Sequence, residues 1–264
     1  MNKKYVLITG ASSGIGQAFA ENLASQGYHF YLTGRNKERL KELSEKLVKT
    51  WAIEVKTFIA DFSNQDQWRN LMAELLKLPP VYGLVNNAGY GQAKTFLEDN
   101  YESQSQMLRV HMDGPTELCH YYLPFMIENK GGFIINLASM AGFICSPSAI
   151  LYTATKAYLI RLSESLHVMA AVHGIKVQAL CPGMTFSDFH NKLGLNQQEM
   201  RKRGPLQWLT AKKTVELSLK KLGRKVVYTP GFRNRLMLKF LGLLPRGFYY
   251  RLTIWAFRAF KYNK

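Results

Sequence analysis

After the apolar run Tyr5-Val6-Leu7-Ile8, the chain reads Thr9-Gly10-Ala11-Ser12-Ser13-Gly14-Ile15-Gly16 and then takes up a helical pattern. Three glycines between a strand and a helix permit a tight turn, close approach of a pyrophosphate to backbone N–H groups, and close helix–strand packing. The helix N-terminus adds partial positive charge at the same place. A glycine turn at the first strand–helix junction therefore points to a nucleotide-binding α/β fold, and less to a turn that is merely tight.

The remaining pattern agrees with that reading. Short apolar or β-branched runs at Tyr5–Thr9, His29–Thr33, Val55–Ala60, Gly83–Asn86, Phe133–Leu137, Lys176–Leu180 and Lys225–Tyr228 alternate with helical stretches near 14–27, 37–49, 64–77, 100–129, 150–173 and 211–222. Near-continuous apolar strands suit a parallel sheet buried on both faces. The expected fold is α/β, a Rossmann-type doubly wound parallel sheet in a single domain with a C-terminal helical extension. Its expected limits are residues 1–230 for the nucleotide-binding domain and 231–264 for the extension. The polar stretch 184–210 breaks the alternation after Pro182-Gly183 and is expected to be a lid or binding loop.

The net charge of +17 suggests a nucleic-acid binder until its distribution is examined. Residues 1–200 carry 18 Lys+Arg against 17 Asp+Glu, whereas residues 201–264 carry 17 against Glu216 alone. The charge belongs to the C-terminal segment, which offers no nucleic-acid recognition element or stacking platform. Cys119, Cys145 and Cys181 are scattered, which argues for reduced thiols in a cytoplasmic setting and against a metal cluster. No signal-like h-region precedes the first strand, and no run of 18 apolar residues occurs.

The spacing Gly10-x-x-x-Gly14-x-Gly16 resembles the first turn of the short-chain dehydrogenase/reductase family, and further motifs extend the resemblance over roughly residues 3–230. Asn86-Asn87-Ala88-Gly89 follows the fourth strand, Ser139 follows the fifth, and Tyr152-x-x-x-Lys156 comes 13 residues later. Pro182-Gly183 and Thr185 follow the sixth. The resemblance implies that Gly10, Ser12, Ser13, Gly14, Ile15 and Gly16 cradle the cofactor phosphates. It places Asn87, Ala88 and Gly89 along the adenosine side, Asp61 and Phe62 at the adenine, and Pro182, Gly183 and Thr185 at the cofactor, with Thr185 on the nicotinamide carboxamide or the phosphates. It also implies a homodimer or homotetramer.

Interconverting a carbonyl and an alcohol needs a hydride and a proton. Tyr152 is the expected general acid/base, with Lys156 one helical turn away as its charge partner and a ribose ligand. Lowering a tyrosine pKa by about three units needs roughly 4 kcal/mol, which Lys156 and an oxidised nicotinamide, two cations in a dry site, can provide together. Ser139 is expected to hydrogen-bond the carbonyl or alkoxide oxygen. One position departs from the family: His111 stands where an asparagine commonly anchors a water in proton relay. Histidine can hydrogen-bond water or shuttle protons itself, or it can simply pack.

Gly34 occupies the place of the acid that usually binds an NAD ribose, and Arg35 follows it. A guanidinium suits a 2′-phosphate, so NADP(H) is expected over NAD(H), unless Arg35 stacks on adenine or faces solvent. From Phe232 to Lys264 the chain mixes leucine and aromatic residues with eight cations. A helix over 248–261 would place Arg251 and Arg258 in one direction within a wide apolar face, as in a helix lying on the inner face of a membrane. Packing on the domain or on a second subunit is the competing expectation. The expected activity is NADP(H)-dependent interconversion of a hydrophobic or lipid-like carbonyl and its alcohol. A catalytically silent NADP(H)-binding regulatory or scaffold protein is the alternative.

Overall fold

A computed structural model describes residues 3–91, 94–186 and 206–262. Seven strands form one parallel sheet: β1 (Tyr5–Thr9), β2 (His29–Gly34), β3 (Val55–Ile59), β4 (Gly83–Asn86), β5 (Gly132–Leu137), β6 (Ile175–Leu180) and β9 (Val227–Tyr228). Their order is β3-β2-β1-β4-β5-β6-β9. Strand order reverses between β1 and β4, which opens a crevice at the C-terminal ends of the strands, where ligands of such sheets bind.

Both faces of the sheet are covered, and this explains the unbroken apolar strands. Val6 and Ile8 of β1 belong to one core cluster while Leu7 belongs to the other, and all three are fully buried. The first cluster is closed by α1 (Gly14–Ala24), α2 (Lys37–Trp51) and α7 (Ala211–Lys221). The second is closed by α3 (Gln65–Leu75), α5 (Gly114–Glu128) and α6 (Ile150–Ala170). β3 is an edge strand, and Lys56, Thr57 and Ile59 are exposed on it. It ends at Ile59, one residue before the expected limit. β9 is shorter than expected and begins at Val227, two residues late.

The helix expected over 100–129 is interrupted. α4 (Tyr101–Leu108) passes into a π-helical turn, Arg109–Asp113, before α5 begins. Pro115 has no N–H to offer the His111 carbonyl, so the ordinary ladder cannot pass this point. The Gly114 N–H bonds the Arg109 carbonyl instead, five residues back.

Within 184–210, Thr185–Phe186 (β7) pairs in parallel with Leu209–Thr210 (β8). The lid expected over 187–205 lies outside the described residues. Beyond β9 the chain forms two helices, α8 (Phe232–Leu243) and α9 (Arg246–Tyr262), separated at Pro245. Asn234 on α8 is fully buried, and its side chain bonds the Gln207 N–H and carbonyl and the Pro230 carbonyl. On α9, the Tyr249 hydroxyl accepts a 2.6 Å hydrogen bond from the Cys145 N–H.

Candidate active site

The crevice is a cleft of about 840 Å³. At one end the glycine turn is shaped by backbone geometry that other residues resist. Gly10 and Gly14 have φ of +64° and +58°. A Cβ on Gly16 would lie 2.4 Å from the Gly10 carbonyl oxygen and 2.5 Å from Asn87 Nδ2, so Gly16 lies beneath the turn and brings α1 against it. Ser13, the N-cap of α1, makes no side-chain cap bond, and no acid stands in the first turn. The first amides of α1 are left for an anion.

The strand-four motif is stitched to this turn. Asn87 Nδ2 donates to the carbonyls of Thr9 and Gly10 at 2.9 and 3.0 Å, and Thr9 Oγ1 accepts from the amides of Asn87 and Ala88. Asn86 is buried and donates to Asn136 across β4 and β5 at 2.8 Å. Gly10, Ser12, Ser13, Gly14 and Ile15 line the cleft together with Asn87, Ala88 and Gly89. Arg35, Asp61 and Phe62 line the same end. Burial by itself raises the Asp61 pKa, but hydrogen bonds from Ser63 and the charge of Arg35 prevail and hold it below the usual range. The Arg35 guanidinium is loosely paired with Asp61 at 3.4 Å and stays largely exposed.

At the other end, Pro182, Gly183 and Thr185 line the cleft with Ser139, Tyr152 and Lys156. Ser139 caps a 3-10 turn, Met140–Phe143, and its Oγ accepts from the Ala141 N–H at 3.1 Å. Its own O–H is thereby left to donate, and it hydrogen-bonds Tyr152. Gly142 lets that turn press onto α6, because a Cβ there would meet the Lys156 backbone carbon at 2.8 Å. Sequence reasoning missed Gly142; a glycine three residues after the serine was its only signal.

Lys156 is buried, and its Nζ donates to the Leu137 carbonyl at 2.8 Å. Burial pulls its pKa down to about 8. Burial also pushes the Tyr152 phenol above its ordinary value, and the hydrogen bond from Ser139 opposes this only in part. Lys156 alone does not offset this burial; the expected lowering rests on Lys156 together with an oxidised nicotinamide. The ammonium is turned to a carbonyl, 5.6 Å from the centre of the Tyr152 ring, and desolvation dominates. Tyr152 consequently keeps its proton, the form required of an acid.

His111 does not line the cleft. It is fully buried in the π-helical turn, and burial followed by the Lys156 charge holds its pKa well below the usual histidine value. Its Nε2 accepts from the Tyr90 N–H at 3.0 Å, which leaves the proton on Nδ1 facing Thr155 Oγ1 at 3.1 Å. Thr155 in turn donates to the Tyr152 carbonyl at 2.9 Å. Both ring nitrogens are thus taken up by protein partners.

The substrate end carries apolar side chains that the motifs did not indicate: Met140, Ile144, Met184, Leu206 and Met237. Met237 comes from α8, one turn from the buried Asn234, and only that helical spacing could have marked it.

A family model described as short chain dehydrogenase matches residues 4–198. An oxidoreductase of Staphylococcus saprophyticus is 33% identical over 185 residues, covering 70% of this chain and 79% of its own length. The human inactive hydroxysteroid dehydrogenase-like protein 1 is 34% identical over 183 residues, 68% of this chain and 55% of that one. A short-chain dehydrogenase from Sphingobium yanoikuyae, solved with NADPH, superposes with a TM-score of 0.79 at 28% identity, covering 87% of this chain and 88% of the other. The matched span contains the glycine turn and the serine, tyrosine and lysine at the far end of the cleft. The chain belongs to the short-chain dehydrogenase family and is an NAD(P)(H)-dependent oxidoreductase acting on CH–OH groups.

Proposed function

We propose that the protein reduces a hydrophobic ketone or aldehyde, or oxidises the matching alcohol, with NADP(H) in preference to NAD(H). The observation that carries this reading is the gathering of Ser139, Tyr152 and the buried Lys156 at one end of the cleft whose other end is the glycine turn, with Ser139 hydrogen-bonded to Tyr152. The bound dinucleotide supplies the hydride. The glycine turn and the α1 amides hold its phosphates, and Arg35 holds the 2′-phosphate with no carboxylate at Gly34 to repel it. Tyr152 gives its proton to the developing alkoxide, and the Ser139 O–H donates to the same oxygen. Lys156 favours the phenolate that remains.

In this reading His111 is a positioning residue. A neutral ring with both nitrogens engaged carries no proton through the site, but it ties the loop after Gly89 to the helix of Tyr152. The substrate meets methionine, leucine and isoleucine side chains, which accommodate a bulky apolar body. Residues 1–230 form the catalytic domain in this account, and 231–264 complete its substrate wall through Met237.

A silent nucleotide-binding role has one observation in its favour, the likeness to a human relative called inactive. The intact trio weighs against it, since folding alone does not demand those side chains. The test is NADPH consumption across a panel of hydrophobic ketones and aldehydes, with wild type and Tyr152→Phe side by side. Turnover that vanishes in the variant supports the reductase. NADPH binding with no turnover of any carbonyl favours the silent role.

A further inference from the structure

The last 48 residues contain no Asp or Glu after Glu216, and α8 and α9 divide them into two unlike faces. On the inner face, Asn234, Met237 and Leu238 of α8 and Tyr249, Thr253 and Ala256 of α9 recur at helical spacing and are buried or half-buried. This face seats on the substrate end of the cleft: Met237 lines it, and Tyr249 holds the backbone of Cys145, a few residues beyond Ser139. On the outer face, Phe232, Leu236, Phe240 and Leu243 form one stripe, with Leu243 81% exposed. Phe248, Leu252 and Trp255 form another, with Trp255 68% exposed. Arg233, Arg235, Lys239, Arg246, Arg251 and Arg258 are exposed on the same two helices.

We propose that this outer face docks on an anionic lipid bilayer and holds the substrate end of the cleft against it, so that an apolar carbonyl compound enters from the membrane. The proposal rests on the reading of a hydrophobic substrate and names its source. Exposed phenylalanine, leucine and tryptophan interleaved with cations match both layers of a bilayer surface, acyl chain below and anionic headgroup above. A second copy of the chain matches less well. A twofold contact would bring the same six cations against one another with no carboxylate from either extension between them. The helices lie on the surface, because no helix among the described residues is long and apolar enough to cross a membrane.

The test is flotation of the full chain with vesicles containing about one-third phosphatidylglycerol, against vesicles of phosphatidylcholine alone. The protein is expected to float with the anionic vesicles and to remain largely free of the neutral ones. Phe240→Ser with Trp255→Ser is expected to weaken vesicle affinity about tenfold or more while NADPH binding stays unchanged. Arg246→Gln with Arg251→Gln, which keeps every apolar contact, is expected to weaken it as well and to make it less sensitive to salt. Equal weak recovery from both lipids would overturn the proposal. So would a dimer that ignores vesicles and becomes monomeric in the serine variant. Flotation needs no turnover, so a failed search for a substrate would count against the proposed reaction and leave this result standing.

Discussion

Removing the Arg35 guanidinium should change which dinucleotide the protein prefers. In the structure Arg35 is loosely held, its pairing with Asp61 is 3.4 Å long, and its side chain is 60% exposed. Arg35→Ala should therefore leave stability within about 0.5 kcal/mol, as for an ordinary surface change. A charge-assisted hydrogen bond to a 2′-phosphate is worth about 1.5 kcal/mol at the low end appropriate to an exposed donor, and two are worth about 3. At about 1.4 kcal/mol per tenfold, NADPH affinity should fall roughly ten- to hundredfold. NADH carries no 2′-phosphate, so its affinity should change by no more than about threefold. The loss is reinforced because Asp61, held ionised by Ser63 hydrogen bonds, would no longer face a cation. Calorimetric titration of both dinucleotides into wild type and variant measures the four constants. Equal losses for the two dinucleotides would show that Arg35 stacks or packs, and would refute the assignment.

Other perturbations follow from the same geometry. Gly16→Ala should lower the melting temperature by the equivalent of about 1–3 kcal/mol and abolish NADPH binding, because the added methyl meets backbone at 2.4 Å; an unchanged melt would contradict the packing described. Lys156 gives up its proton near pH 8, so the cation beside Tyr152 is present below that pH and lost above it. The rate of reduction should therefore fall on the alkaline side of pH 8, and a flat profile to pH 10 would contradict this. Burial and the Lys156 charge hold the His111 pKa well below the usual histidine value, so His111 should add no inflection to the rate near that value. His111→Phe should lower kcat with little change in KM by leaving the Tyr90 N–H and Thr155 without their partner. An acidic limb near pH 6.5 that disappears in His111→Asn would instead make His111 a proton carrier.

The sheet and the glycine turn were legible because they are written in local periodicity. Val6, Leu7 and Ile8 announce a strand buried on both faces, and Gly10, Gly14 and Gly16 announce the turn that follows. Ser139, Tyr152 and Lys156 could be found by spacing, and the structure gathers them at one end of the cleft. What could not be read was set by partners distant in the chain. The engagement of His111 depends on residues 90 and 155, and the rise of the Tyr152 pKa depends on how completely the cleft walls exclude water. The π-helical turn is latent in Pro115, whose missing N–H is visible in the sequence, but the partner that replaces it, the Gly114 N–H on the Arg109 carbonyl, is set by the folded helix. For the extension the sequence leaves a membrane-surface helix and packing on the domain or a second subunit both open, because no local pattern marks Asn234, Met237 and Tyr249 as one face. Only their contacts with Gln207, the cleft and Cys145 reveal an inner face.

Deuterium transfer reports whether this cleft moves hydride and proton onto a carbonyl. Wild-type protein would be mixed in a single turnover with NADPH carrying deuterium at the reactive carbon and with a hydrophobic ketone, and the alcohol analysed by mass spectrometry. One deuterium is expected on the former carbonyl carbon, and none in the same time with Tyr152→Phe. NADPH bound by both proteins with no deuterated alcohol from either, for any ketone or aldehyde of the panel, would contradict it.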